Sequence, residues 1–230
     1  MCIELDIPDF HAHILPLADH GSSSLETSVR QLQLAKLAGV SKIIATPHFY
    51  PHYHTVSAFV KKRTAAYKLL SQSLTEDMPE IRLGAEVLLC ENLHKIEGLS
   101  ELCIQGTKTI LLELPYYTID EGHVSAVDSL IKSGYDIILA HADKYNKEDI
   151  EKFLSIGAKI QLNSVSLCGL FIPRHLLDWI DYGHVVALGS DIHGTKRRAY
   201  KSFFKVKKKF EQRLSYICKQ SNSIWDSTTK

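Results

Sequence analysis

Two imidazoles one residue apart, His11-Ala12-His13, and a carboxylate and imidazole at the same spacing, Asp191-Ile192-His193, are the sharpest chemical signals in this 230-residue chain. Residues two apart in an extended segment point the same way, so each pair offers two donors to one cation. The chain holds 12 histidines, and His20, His48 and His141 join these pairs, together with Glu86 and Glu113. Imidazole mixed with carboxylate suits Mn, Fe or Zn, whereas Mg and Ca prefer oxygen throughout. Any one of these histidines alone reads as an ordinary hydrogen-bonded residue. Glu86 and Glu113 do not, because each is embedded in an apolar run and a buried carboxylate without a partner is costly.

What gathers such residues is a repeating element. Seven apolar, β-branched runs recur: Leu5–Phe10, Lys42–Thr46, Ile81–Leu89, Thr109–Leu114, Asp136–Ala140, Ala158–Leu162 and His184–Leu188. Ile43-Ile44-Ala45 and Ile110-Leu111-Leu112 are apolar without alternation, the pattern of parallel strands covered on both faces. Helical spacing fills the intervals. Ser23-x-x-Glu26 predicts a capping box for a helix ending at Gly39, and Thr55 to Leu74 predicts a second helix. Glu121 to Lys132 and Lys147 to Leu154 predict two more, each followed by a glycine suited to the C-cap. A basic terminal helix is expected over about 202–217, with Phe203, Val206, Phe210, Leu214 and Ile217 in one stripe.

Alternating strands and helices predict a single α/β domain over 1–230, a barrel or a doubly wound sheet. Each run leads into His, Glu, Asp or Asn near its carboxyl end: His11 and His13, then His20; His48; Glu86; Glu113; His141; Asn163; Asp191 and His193. In parallel α/β folds those ends share one face, where active sites lie. His52, His54, His94, His123, His175 and His184 stand elsewhere and read as ordinary residues. Cys168-x5-Arg174 has the spacing of a thiol-phosphatase loop, but bulky intervening residues and Pro173 leave a poor phosphate cradle, so it reads as a chance match.

Composition narrows the function classes. With 45% hydrophobic and 23% charged residues the chain is ordinary for a globular protein, and no apolar run is long enough for a membrane helix. The opening Met-Cys-Ile-Glu-Leu-Asp is unlike a secretory leader, and five scattered cysteines (2, 90, 103, 168, 218) suit free thiols, so a cytoplasmic location is expected. The net charge of +1 is uneven: Lys196–Lys219 holds ten Lys or Arg against Glu211, a local +9 that leaves −8 elsewhere. That stretch reads first as a solvated helix face, and no nucleic-acid motif accompanies it.

The residues from Asp9-Phe10-His11-Ala12-His13-Ile14-Leu15-Pro16 through Gly21-Ser22, Ile44-Ala45-Thr46-Pro47-His48, Gly84-Ala85-Glu86 and Leu112-Glu113-Leu114-Pro115 resemble a known family. Leu139-Ala140-His141, Tyr145, Gln161-Leu162-Asn163, Ser166-Leu167-x-Gly169 and Ser190-Asp191-x-His193 continue the likeness, which spans roughly the first 200 residues. They resemble the polymerase-and-histidinol-phosphatase (PHP) superfamily of metal-dependent phosphoesterases. Within it, the chain is most similar to the bacterial manganese-dependent protein-tyrosine phosphatases of capsule and exopolysaccharide operons.

The resemblance implies a distorted (β/α)7 TIM-like barrel and two or three Mn²⁺ ions. His11, His13, Glu86 and Asp191 would hold one, Glu86, Glu113 and His141 a second, and His20, His48 and His193 a third. It also implies hydrolysis of phosphotyrosine by a metal-bridging hydroxide, with a phosphoprotein substrate such as a bacterial tyrosine kinase, and no nucleic acid. Arg198 matches a phosphate-binding arginine of that family. Two positions depart from it: Lys144 stands where the family has Arg, and His20 where it has Asp, an exchange that favours Zn or Fe. Three other readings stay open. A small-metabolite phosphatase of the same fold, resembling histidinol phosphatase, is one. A metal amidohydrolase would want His where Asn163 stands. A non-catalytic module would use Lys205–Lys209 with Phe203, Phe204 and Phe210 to dock a partner.

Overall fold

A computed structural model describes residues 6 and 8–227. Among these residues the strands are β1 (Asp9–Ala12), β2 (Lys42–Ala45), β3 (His48–Phe49), β4 (Glu80–Leu83), β5 (Glu86–Leu88), β6 (Thr109–Glu113), β7 (Asp136–Leu139), β8 (Lys159–Asn163) and β9 (Val185–Gly189). The helices are α1 (Leu25–Leu37), α2 (Val56–Ser71), α3 (Glu121–Lys132), α4 (Lys147–Ser155), α5 (Arg174–Asp181), α6 (Arg198–Lys209) and α7 (Glu211–Asp226). All strand pairs are parallel, in one curled sheet of order β3-β5-β6-β7-β8-β9-β1-β2-β4. The first expected run, Leu5–Phe10, lies partly outside the described residues, as does Cys2.

The seven expected runs become nine strands, and the sheet is TIM-like but not a closed barrel. One run, Ile81–Leu89, is split in two, and the other additional strand, β3, lies beyond the end of the run Lys42–Thr46. Thr46-Pro47 separates β2 from β3, and Gly84-Ala85 separates β4 from β5. Proline brings no N–H to a ladder, and glycine weakens a strand interior. The two segments still face each other: Gly84 N–H donates to Ala45 O (2.9 Å) and Glu86 N–H to Pro47 O (3.1 Å). In consequence β2 pairs with β4 and β3 with β5. This kink carries His48 and Glu86 inward at matched positions in the β3–β5 register.

Consecutive apolar residues serve two cores. Ile43, Ala45, Ile110, Leu112, Ile137 and Leu139 pack beneath the helices. Their neighbours Ile44, Leu111, Ile138 and Ala140 join Phe10 and Val186 in a separate cluster. Trp225 of α7, almost wholly buried, belongs to that inner cluster, and Arg82 stacks on its ring at 4.5 Å. The end of α7 meets the first residues of β6, β7 and β8, so it closes the floor opposite the strand carboxyl ends.

Local signals are displaced in three places. The N-cap of α1 is Ser24, whose hydroxyl accepts from Thr27 N–H (3.2 Å), one residue beyond the Ser23 expected. A capping box stands instead at α3, where Asp120 accepts from His123 N–H (3.1 Å) and His123 Nδ1 accepts from Asp120 N–H (3.5 Å). The terminal helix expected over about 202–217 is two helices. Phe210, at φ −131°, breaks the stripe because α6 packs on the 3-10 turn Ser164–Leu167 while α7 packs on β9. Helix α5 is additional to the expected elements, eight residues long, with one buried face of Leu176, Trp179 and Ile180. Gly134 and Gly157 do end α3 and α4 as expected, at φ +88° and +101°.

Gly189, at the end of β9, permits a close approach of strands beneath the site. A Cβ there would lie 2.5 Å from Gln161 Nε2 and 2.6 Å from His11 Cβ. Gly189→Ala is expected to cost about 2 kcal/mol through this overlap, read as a lower urea midpoint with an unchanged m-value.

Candidate metal centre

β1 delivers His11, and the chain just beyond it delivers His13; both are buried. Their Nε2 atoms lie 3.0 Å apart. The tautomers follow from the partners. Gln161 Oε1 accepts from His141 N–H (2.7 Å), which fixes its amide as acceptor on that side, so His11 Nδ1 must donate to it (3.2 Å). His13 Nδ1 donates to Asp19 Oδ2 (2.6 Å). With both Nδ1 atoms donating, the neutral rings set two Nε2 lone pairs against each other. That arrangement needs a cation or a proton between them.

Glu86 sits where these rings converge. Its Oε2 is 3.1 Å from His11 Nε2, 3.1 Å from His13 Nε2 and 3.0 Å from His48 Nδ1. Yet that buried oxygen makes no aligned hydrogen bond, and neither do His48 Nδ1 and His193 Nε2. Buried polar atoms without partners are rare. Here several of them point at one another with donor chemistry suited to a divalent ion, so the residues fit a metal. His141 Nε2 lies 2.8 Å from Glu86 Oε1 and 3.7 Å from Glu113 Oε1. Asp191 Oδ1 approaches His11 and His13 at 3.8 and 3.7 Å.

Among the described residues four groups have ligand atoms within 4.8 Å of one another: His11/His13/Asp191, His11/Glu86/His141, His48/Glu86/Glu113 and His13/His48/His193. Eight of the nine expected ligands are brought together in this way. His20 is not among them. Its exposed ring stacks on His48 (4.8 Å) and His193 (4.6 Å), and His13 takes the place that the resemblance gave to His20. His141 and Asp191 both hold left-handed backbone, at φ +33° and +49°, where non-glycine residues are uncommon. The strand ends spend backbone strain to aim these two side chains.

Electrostatics agree with a cation site. Burial works against a charge on His13, but Asp19 and Glu86 outweigh it and push its pKa up to about 10. Burial also opposes charge on Glu86, yet His11, His13 and His141 hold that carboxyl well below its usual range. Burial and the positive character of His13 push His193 down to about 4. Glu113 moves the other way, raised by burial and by the neighbouring Glu86. Lys144 Nζ donates to Asp191 Oδ2 (2.6 Å), and Asn163 Nδ2 donates to the same oxygen (3.1 Å).

A cavity of about 800 Å³ opens above these groups, and Lys144, Lys196 and Arg198 line it together with Tyr50 and Tyr116. Sequence reasoning gave no role to Asp19, Gln161, Tyr50, Tyr116 or Lys196. Asp19 also accepts from Gly21 N–H (2.8 Å) and His48 N–H (3.0 Å), so it ties three parts of the site together. The Gln161-x-Asn163 spacing, two apart on β8, was the available signal for Gln161. The Cys168 motif forms no cradle: Arg174 pairs with Asp178 (2.9 Å) on the surface, and burial pushes the Cys168 thiol up, away from the reactive thiolate.

Residues 7–223 match the model of the CpsB/CapC capsular polysaccharide synthesis family. Tyrosine-protein phosphatase YwqE of Bacillus subtilis is 29% identical over 236 residues, covering 94% of this chain and 90% of that protein. Putative tyrosine-protein phosphatase CapC of Staphylococcus aureus is 26% identical over 226 residues, covering 91% and 88%. The solved structures of YwqE from B. subtilis and CpsB from Streptococcus pneumoniae, described as unique metal-dependent tyrosine phosphatases, include a chain that superposes with a TM-score of 0.77. It shares 23% identity over 97% of this chain and 96% of that one, a likeness of fold. A probable 2-pyrone-4,6-dicarboxylic acid hydrolase from Acinetobacter baumannii superposes with a TM-score of 0.55 at 12% identity, over 96% of this chain and 99% of that one.

Because His13 keeps its proton up to about pH 10 in the metal-free chain, an ion that takes its Nε2 must expel that proton. Calorimetric titration with Mn²⁺ or Zn²⁺ is expected to show proton release and tighter binding as pH rises from 6 to 8. Ion at a hundred times its Kd should stabilise the fold by about 2.7 kcal/mol, and Glu86→Gln should lose most of that gain in a thermal melt.

Proposed function

The chain belongs to the CpsB/CapC family of capsular polysaccharide synthesis, and from that premise we propose that it is a metal-dependent protein-tyrosine phosphatase. The observation that carries this reading is the facing pair of Nε2 atoms of His11 and His13, with Glu86 Oε2 against both, at the bottom of a cavity lined by three cationic side chains. The relatives' activity on phosphotyrosine is carried to this chain as part of the proposal. So are the finer points: Mn²⁺ as the working ion with Zn²⁺ or Fe as alternatives, a phosphorylated tyrosine kinase of capsule or exopolysaccharide synthesis as substrate, and a cytoplasmic setting.

His11, His13, Glu86, Glu113, His141, His48, His193 and Asp191 would hold the ions, with His20 over the outermost group. When bound, such ions lower the pKa of water towards about 7 and neutralise charge on a transferring phosphoryl group. The chain's own contributions are orientation and charge. Gln161 and Asp19 fix the His11 and His13 rings with Nε2 turned inward, an outer-shell role that raises ligand basicity. Arg198 and Lys144 face the cavity and would bind the non-bridging phosphoryl oxygens. Lys144 gives a single point of charge where a guanidinium would grip two oxygens, and Asp191 both anchors it and keeps it protonated. Tyr50 and Tyr116 line the cavity and add aromatic surface suited to an aryl ester. A phenol leaves with a pKa of about 10, so no strong general acid is required at the leaving oxygen. The breadth of the cavity favours a residue presented on a protein over a small metabolite phosphate.

Hydrolysis of p-nitrophenyl phosphate should require Mn²⁺ and stop with EDTA. Arg198→Ala is expected to lower kcat/KM by about 10²-fold, as loss of one charge-stabilising donor does, and Lys144→Arg to retain or improve it. Cys168→Ser should keep full activity. Turnover that survives EDTA but is lost in Cys168→Ser would overturn the metal reading.

A further inference from the structure

A second cleft, of about 610 Å³, lies between α1 and α6. Its floor is apolar: Leu34, Leu37 and Ala38 from one helix, Tyr200 and Phe204 from the other. Leu37 is 76% exposed and Phe204 50%, so this floor faces solvent. Its rim is cationic, with Arg30, Arg197, Lys201 and Lys205 around it and no acid in the lining. Among the described residues none of these four makes a salt bridge. An apolar trough framed by unpaired like charges is a poor arrangement in isolation, because the cations repel and the floor remains wetted. A segment bearing carboxylates and an apolar side chain relieves both.

The cleft also shares a wall with the metal centre. Along the start of α6, Lys196, Arg198 and Ala199 line the large cavity, while Arg197, Tyr200 and Lys201 line this cleft. The two sets of lining residues interleave along this one segment. We propose that the α1–α6 cleft docks an acidic stretch of the substrate protein, carrying an apolar residue for the Leu37–Phe204 floor, close in sequence to the phosphotyrosine held in the cavity. This rests on the phosphotyrosine reading of the cavity. The concave shape selects a peptide over a flat anionic membrane. The basic character of Lys196–Lys219 thereby acquires a ligand, in place of a merely solvated face.

The test uses the metal-loaded chain and three probes. The first is a fluorescein-labelled peptide with four Asp or Glu around a Leu and no phosphotyrosine. The second is a pair of phosphotyrosine peptides, one carrying that acidic stretch and one with Gln in its place. The third is p-nitrophenyl phosphate. The wild-type chain should bind the labelled peptide in fluorescence anisotropy, with affinity falling as salt rises. It should also turn over the acidic phosphopeptide with a kcat/KM about tenfold above its Gln counterpart, a gain of the size that several rim ion pairs supply. Lys201→Glu/Lys205→Glu should remove both effects and leave p-nitrophenyl phosphate turnover unchanged, which also shows that the variant is folded. Leu37→Ser should weaken peptide binding without altering its salt dependence. Equal kcat/KM for the two phosphopeptides would overturn the proposal, as would unchanged peptide binding by the double variant. So would binding of phosphatidylserine vesicles, lost in the double variant, in the absence of peptide binding. Failure of wild-type protein to cleave p-nitrophenyl phosphate would sink the phosphatase reading instead, and peptide binding would still decide the cleft.

Discussion

Two ring nitrogens facing each other at 3.0 Å, with a carboxylate oxygen against both, make up the interaction on which the rest of this structure depends. Nothing apolar can stabilise it, and water cannot enter between rings so close. The surroundings are arranged to preserve that confrontation. Gln161 is pinned by the backbone of His141 and holds one ring. Asp19 is pinned by two backbone N–H groups and holds the other. Interrupted strands, left-handed backbone at His141 and Asp191, and a glycine under His11 all make sense as means of crowding these groups together. Close packing of this kind is tolerated where a cation offsets the repulsion.

How much of this was legible in the chain can be judged residue by residue. Ligand types and their places after apolar runs could be read directly, because a two-residue spacing on an extended strand has one geometric meaning. Hence His11 and His13 meet as the spacing predicts, whereas Asp191, in left-handed backbone, joins them as the resemblance implied and not as a pair with His193. The supporting residues could not be read in that way. Asp19 lies in a loop whose path only tertiary structure fixes, and Gln161 is an ordinary strand residue until His141 is placed beside it. Strand count misled for a similar reason: Ile81–Leu89 is apolar at most of its positions, with no proline to divide it, and only the pairing of its two halves with different strands reveals the break at Gly84-Ala85. The terminal stripe misled too, since its spacing is helical throughout and the bend at Phe210 answers to two different packing partners.

The two ends of the sheet divide the work. At the carboxyl ends polar groups gather and the backbone is strained. At the opposite end Trp225, Phe10, Ile44 and Ile138 form a plain apolar plug. Apolar burial there, at roughly 25 cal/mol per Å², can offset the cost of the polar cluster above it. Core and site thus draw on the same strands, one residue serving each in alternation.

Asp9 joins the first strand to the last: its Oδ1 accepts from Ser190 N–H at 2.8 Å and from His11 N–H at 3.2 Å. Domains emerge from the ribosome from the amino end, so β1 can pair with β2 early, but its other edge lacks β9 until nearly the whole chain has been made. His11 and His13 are among the earliest residues synthesised, and Asp191 and His193 among the later ones. A nascent chain therefore carries a loose imidazole pair for most of its translation. The ligand group of His11, His13 and Asp191 is completed only when the β1–β9 seam closes, so sheet closure and assembly of that group are one event.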